Sequence, residues 1–320
     1  MVHRRGGAAG VALCAVIITA CASNTPAPVA PSPVIARVGS DAITLAEFNV
    51  RYQSACTSIK QGGGDCSGGA AVTQVRAAIL RSLITDTVIR EEATRLGLAA
   101  TPKEVATEIA TDAQQAGGTS ALETELAGAG GSMAQLEDEI SSSINEQRVE
   151  DVFAQQRAAL VEQVLATRAS FIATAKTYSD DSGTTGTAAK GGDLGVLTAA
   201  QLKAYDPAFA AAVTSLAVGA YTTTPVHDAG GYDIVMVYSK TAKGWGVRHI
   251  LIYAGNPYNV TDRPGWFTEE LFNQVGTLCA ANQIEVSLTN AGGNPCAAAR
   301  PSPSPASPSL KATPTATPAG

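Results

Sequence analysis

The sequence predicts an α+β protein with a helical domain followed by a small sheet domain, and three observations carry that expectation. Val75, Ile79 and Leu83 recur every fourth residue beside Leu80, Ile84 and Val88, which gives one broad apolar face from about Val72 to Leu96. The stretch 191–237 alternates capped helical segments with short strands separated by Gly-rich turns. At 320 residues there is room for about two ordinary domains.

The N-terminus belongs to neither domain. His3-Arg4-Arg5 precedes an apolar stretch, Ala8 to Ala20, which is too short to span a bilayer and right for a secretory signal over residues 1–20. It ends in Ile18-Thr19-Ala20-Cys21, a tetrapeptide that resembles a bacterial lipobox, in which the Cys is lipidated and becomes the first residue of the mature chain. An ordinary signal peptide with a chance cysteine is the alternative. Residues 21–33 are rich in Pro, Ala and Ser and predict an extended tether. Removing residues 1–20 takes away Arg4 and Arg5 and no acid, so the formal net charge moves from −6 to −8. An acidic chain argues against nucleic acid as a partner and does not favour anionic lipid. Membrane attachment would come from acyl chains on Cys21.

With Cys14 in the signal and Cys21 at the lipid site, Cys56, Cys66, Cys279 and Cys296 remain. Four cysteines in an exported chain point to two disulfides. Each local pair brackets a Gly-rich loop, which favours Cys56–Cys66 and Cys279–Cys296 over the other two connectivities. A zinc site is the alternative, and neither spacing is the short Cys-x-x-Cys type.

Folded sequence is expected from Val34. Val34–Val38 reads as a strand, Gly39-Ser40-Asp41 as a turn, and Thr44-Leu-Ala-Glu47 as a capping box opening a helix. Gly97 stops the long apolar helix, and Thr101-Pro102-Lys103-Glu104 offers an N-cap, a first-turn proline and a capping-box Glu. These features, with the run LITDTVIREEATRLGLAATPKEV, resemble the N-terminal domain of the SurA and PrsA family of extracytoplasmic chaperones. Short helices are expected over Ser120–Leu126 and Ser132–Ser143, and the pattern from Ile144 to Tyr178 is helical without proline or glycine. The carboxylates Glu123, Glu125, Glu137, Asp138 and Glu139 are read as solvated helix faces.

Gly191-Gly-Asp-Leu-Gly195 reads as a turn, followed by an apolar residue and a Phe on helices, a Gly-Ala-Tyr…Thr-Pro-Val strand and a closing strand through Asp-Ala-Gly-Gly. This order resembles a parvulin-type peptidyl-prolyl cis/trans isomerase, which implies a four-stranded antiparallel sheet with flanking helices. The family's Arg-His-Ile-Leu strand normally precedes the helix that here reads Phe171 to Ser179. In this chain it comes after the closing strand, as Arg248-His249-Ile250-Leu251. Either the domain is circularly permuted, with its first strand moved to its end, or Val247–Ile252 opens a degenerate second copy; no further GGDLG follows.

The resemblance places a proline pocket on Leu202 and Phe209 with Leu216 in support, although spacing alone would make these ordinary core residues. It also implies a polar surround of His249 and Asp181, with Asp233 where a second His is usual and Asp228 where a Thr is common. A His249–Asp233 pair on adjacent strands would keep the cross-sheet hydrogen bond while changing its charge. No cofactor or metal is implied, because rotation about an amide needs no covalent step.

The expected organisation is a signal at 1–20, a tether at 21–33, a helical chaperone domain at 34–155 and a permuted parvulin-like domain at 156–255. A C-terminal helix and strand follow at 256–296 and a disordered tail at 297–320. The expected function is a lipid-anchored extracytoplasmic foldase, on the outer face of the cell membrane or facing the periplasm. Its partners would be unfolded or nascent exported polypeptides, with the membrane reached through Cys21 and with no nucleic acid or small-molecule cofactor. The alternative is a holdase, or an assembly factor for one client, that keeps the parvulin fold without catalysis.

Overall fold

The computed structural model describes residues 31–254, 263–288 and 292–297. The signal, Cys21, most of the tether and the tail beyond residue 297 lie outside the described residues. Among the described residues, no helix is long and apolar enough to cross a membrane.

Strands β1 (Val34–Val38) and β2 (Asp41–Thr44) form a tight antiparallel pair that leads into α1 (Leu45–Gln61). Thr44 and Glu47 make the expected capping box, as do Thr101 and Glu104 at the start of α3 (Pro102–Ala116). Between them, α2 (Gly69–Leu96) buries Leu80, Ile84 and Val88 against Val38, Ile43 and Phe48. Helix α4 (Thr119–Gly128) folds back on α3, and α5 (Met133–Ala166) then packs on α2 and α3 and continues towards the second half of the chain.

Two elements depart from expectation. The helix that starts after Ser132 does not stop at Ser143, so residues 155 and 156 both lie within α5 and no linker separates them. The break comes later, in the stretch that lacks both proline and glycine. Arg168 adopts a left-handed conformation (φ 66°), and Ser170 caps α6 (Phe171–Tyr178) by accepting from the Ala173 N–H. Leu165 and Phe171 enter the same core from either side of this corner, so packing fixes a turn for which propensity gives no signal.

The second sheet has the order β3-β6-β5-β4, antiparallel throughout, from β3 (Asp193–Leu197), β4 (Val226–Asp228), β5 (Gly231–Thr241) and β6 (Gly244–Tyr253). The GGDLG segment is thus half strand rather than turn, because β3 begins at its Asp. Strand β6 lies between β3 and β5 and fills a central place in a single sheet. A tight β5–β6 hairpin brings the Arg-His-Ile-Leu strand to that place, the arrangement that permutation requires.

Side chains alternate across these strands. Ile234, Ile250 and Ile252 face α5, α6 and α9 (Gly265–Ala280), whereas Val235, Val237 and Val247 face α7 (Ala199–Leu202) and α8 (Pro207–Ser215). The first face shares one core with Phe153, Val161 and Phe267, so sheet and helices are packed together. Strand β7 (Ile284–Val286) returns to pair with β1, so C-terminal sequence completes the N-terminal sheet. Both local cysteine pairs are disulfides, Cys56–Cys66 and Cys279–Cys296.

Candidate active site

One of the signature glycines is needed where the chain passes His249. Gly192 has φ +75°, and a Cβ there would lie 1.9 Å from the His249 carbonyl oxygen, so only glycine fits. The His249 N–H donates to the Gly192 carbonyl at 2.9 Å, which fixes this part of β6 against the turn. Beyond the end of β3, the segment after α6 takes over the edge of β6. Asp180 donates its N–H to the Leu251 carbonyl (2.8 Å), and its carboxylate accepts from the Tyr253 N–H (3.0 Å). Asp181 is thereby set beside His249.

His249 Nδ1 lies 2.7 Å from Asp233 Oδ1, and its Nε2 lies 3.0 Å from both Asp181 Oδ2 and Thr187 Oγ1. Thr187 also donates its hydroxyl (2.5 Å) and its N–H (2.9 Å) to Asp181. Burial pushes Asp233 up to about 6, against the pull of the imidazole, and the neighbouring Asp228 carboxylate adds to the rise. Burial opposes charge on His249 too, but Asp233 and Asp181 outweigh it and hold the imidazolium above its usual range. Asp181 is also penalised by burial, yet Thr187 and His249 keep its carboxyl below the ordinary value. The result is a hydrogen-bonded Asp–His–Asp array in which both carboxylates favour the charged imidazolium.

Phe209 meets this array edge-on, its ring 6.4 Å from that of His249. Phe209 and Leu202 are buried in the apolar cluster under the sheet, and Leu216 packs on that cluster from its partly exposed margin. Asp206 caps α8 by accepting from the Ala208 N–H, with Pro207 in the first turn, and this fixes the helix start beside the site. Asp228 accepts from the Gly230 N–H at 2.7 Å and presses on Asp233 rather than on the imidazole.

Two site residues were not expected from the sequence. Thr187 lies in a Ser-, Gly- and Thr-rich loop that gives no periodic signal, and only folding brings it to His249. Tyr205 stacks on Phe209 at 4.9 Å, and burial together with Asp233 and Asp181 holds its phenol above the usual range. Its signal was an aromatic next to a capped proline helix.

A central His-bearing strand, the glycine turn locked to it and a Phe-lined helix on one face define a peptidyl-prolyl cis/trans isomerase domain of the parvulin class. The family comparisons agree. Residues 140–239 match the PPIC-type PPIASE domain, and residues 6–150 match the SurA-like N-terminal domain. Together the two matches support a SurA/PrsA-like chaperone that carries a parvulin isomerase domain, and the SurA-like family is extracytoplasmic. The isomerase match ends at residue 239, before β6 begins at Gly244, so the strand carrying His249 lies outside it. No curated protein matches the chain.

Proposed function

We propose that this protein is a lipid-anchored foldase that binds unfolded exported chains and isomerises their X-Pro bonds at the Asp181–His249–Asp233 array. The observation that carries the reading is the array itself, set against the Phe209 ring. Rotation about the amide faces a barrier of about 18–20 kcal/mol, and an uncatalysed X-Pro bond takes tens to hundreds of seconds or so to isomerise. A catalyst needs an apolar surface for the ring and fixed polar groups that favour the twisted amide over the planar one. Leu202 and Phe209 serve as the first. Asp233 fixes the imidazole through Nδ1, which leaves Nε2, Thr187 and Asp181 as the polar surround, with no covalent step. Attachment to the membrane rests on Cys21 alone and is tested by acyl labelling of the wild type against Cys21→Ser.

A specific observation favours the holdase reading as well. Phe209 and Leu202 are only 1% and 4% exposed, and Tyr205 lies flat on Phe209, so the apolar surface is covered in this conformation. The deciding experiment is X-Pro exchange by NMR line shape on the purified protein, with His249→Ala and Phe209→Ala beside it. Acceleration by the wild type that both folded variants lose supports catalysis. No acceleration, with aggregation of an unfolded client suppressed, supports the holdase.

A further inference from the structure

The charge around the site is unbalanced, and the imbalance has a direction. Two carboxylates meet one imidazole, Asp181 at Nε2 and Asp233 at Nδ1, and a third, Asp228 at the end of β4, backs Asp233. Thr187 adds a neutral hydroxyl. The nearby cations do not redress this. Arg248 is next to His249 in β6, so strand alternation sends it to the other face, where it pairs with Asp193 at 3.0 Å. His227, beside Asp228, faces away and lies 3.6 Å from Asp151 of α5. Even with His249 protonated, the site keeps an excess of negative charge, and Asp181 is its more exposed member.

Resting on the isomerase reading, we infer that the site selects X-Pro segments with Lys or Arg beside the proline and rejects those with Asp or Glu. A residue flanking a proline held near Phe209 comes within the field of Asp181 and Asp228, where a cation is attracted and a carboxylate repelled. At a partly buried site such Coulomb terms amount to factors of several rather than fractions. The selectivity is electrostatic, so added salt weakens it. Tyr205, which covers Phe209 and shares the same field, is the side chain that a bound proline must displace or stack on.

The test is a peptide series with Lys, Arg, Ala or Glu before proline, measured on the purified full chain by NMR exchange and, in the same samples, by chemical-shift titration for binding. The expected result is a Lys-to-Glu ratio of roughly tenfold in kcat/KM, about 1.4 kcal/mol, that shrinks in 0.5 M salt or so and in Asp228→Asn. Acceleration with a flat ratio, or with Glu preferred, overturns the inference and leaves the isomerase reading intact. No acceleration of any peptide removes that reading. The titration still decides the charge preference: tighter binding of Lys peptides upholds it, and equal binding overturns it.

Discussion

Asp233 and His249 lie on adjacent antiparallel strands, diagonal to one another on the same face, and their side chains meet at 2.7 Å. Diagonal cross-strand neighbours are within reach of long side chains. The carboxylate therefore occupies a place from which it fixes the ring and stabilises its charged form. Asp233→Asn keeps the shape and removes the charge. Its expected effects are a fall in the His249 pKa by NMR titration and a loss of exchange activity on the order of tenfold, about 1.4 kcal/mol of barrier. A pKa left unchanged would show that Asp181 alone holds the imidazolium.

Thr187 bridges Asp181 and His249 Nε2 through one hydroxyl. Thr187→Val conserves volume and removes that oxygen, so Asp181 loses the largest of the interactions that lower its pKa. The expected outcome is an upward move of the acidic limb of the pH–activity profile with little change in melting temperature. Thr187→Ser restores the profile.

Much of this site was legible because its parts are local. The GGDLG run, the Asp206-Pro207 helix start and the β5–β6 hairpin are each set by neighbouring residues. Even the displaced Arg-His-Ile-Leu strand could be assigned to the sheet, since a short loop from the closing strand leaves it few other places. Thr187 and Tyr205 were not legible. A hydroxyl in a flexible-looking loop and an aromatic before a helix acquire their roles only from contacts remote in sequence. The corner at Arg168 escaped for a related reason, because tertiary packing overrides a helical pattern that contains no breaker.

Stability should fall as the pH rises from about 4 to 7. Burial pushes Asp86 and Asp233 up to about 6 and Glu162 up to about 7, so across this window the folded protein binds more protons than the unfolded chain. His249 acts in the same direction. Its contribution is complete below its unfolded value and is lost as the pH rises through the raised folded one. Asp181, held low, opposes this only on the acid side, where its contribution is lost as the pH falls. The melting temperature should be higher at pH 5.5 or so than at about pH 8. Glu162→Gln should raise the pH 8 value and flatten the difference.

The Cys279–Cys296 disulfide ties the end of α9 to the chain just beyond β7. Its loop spans a sequence separation of 17, for which chain entropy gives about 3 kcal/mol. β7 is three residues long and, among the described residues, pairs only with β1, so this closure is a large part of what keeps it in place. Cys279→Ser/Cys296→Ser should lower stability by about 2–4 kcal/mol, with faster amide exchange at Ile284–Val286 and little change around His249. Equal loss of protection at both places would mean that the C-terminal segment supports the isomerase sheet directly.

Phe267 tests whether chaperone helices and isomerase sheet unfold together. It is fully buried at the start of α9, meets Phe153 of α5 edge-on at 6.1 Å, and shares a core with Ile250 and Ile252 of β6. That core draws on α2, α5, α6, α9 and both central strands, so helices and sheet share it. Phe267→Ala should therefore cost about 3–5 kcal/mol and shift a single denaturant transition without splitting it. Near-UV signals from the helical region and the His249 ring resonances should be lost at the same denaturant concentration. Two separated transitions, with the sheet outlasting the helices, would establish that the isomerase domain stands without α5 and α9, and that the continuous helix between them is a connection rather than a shared core.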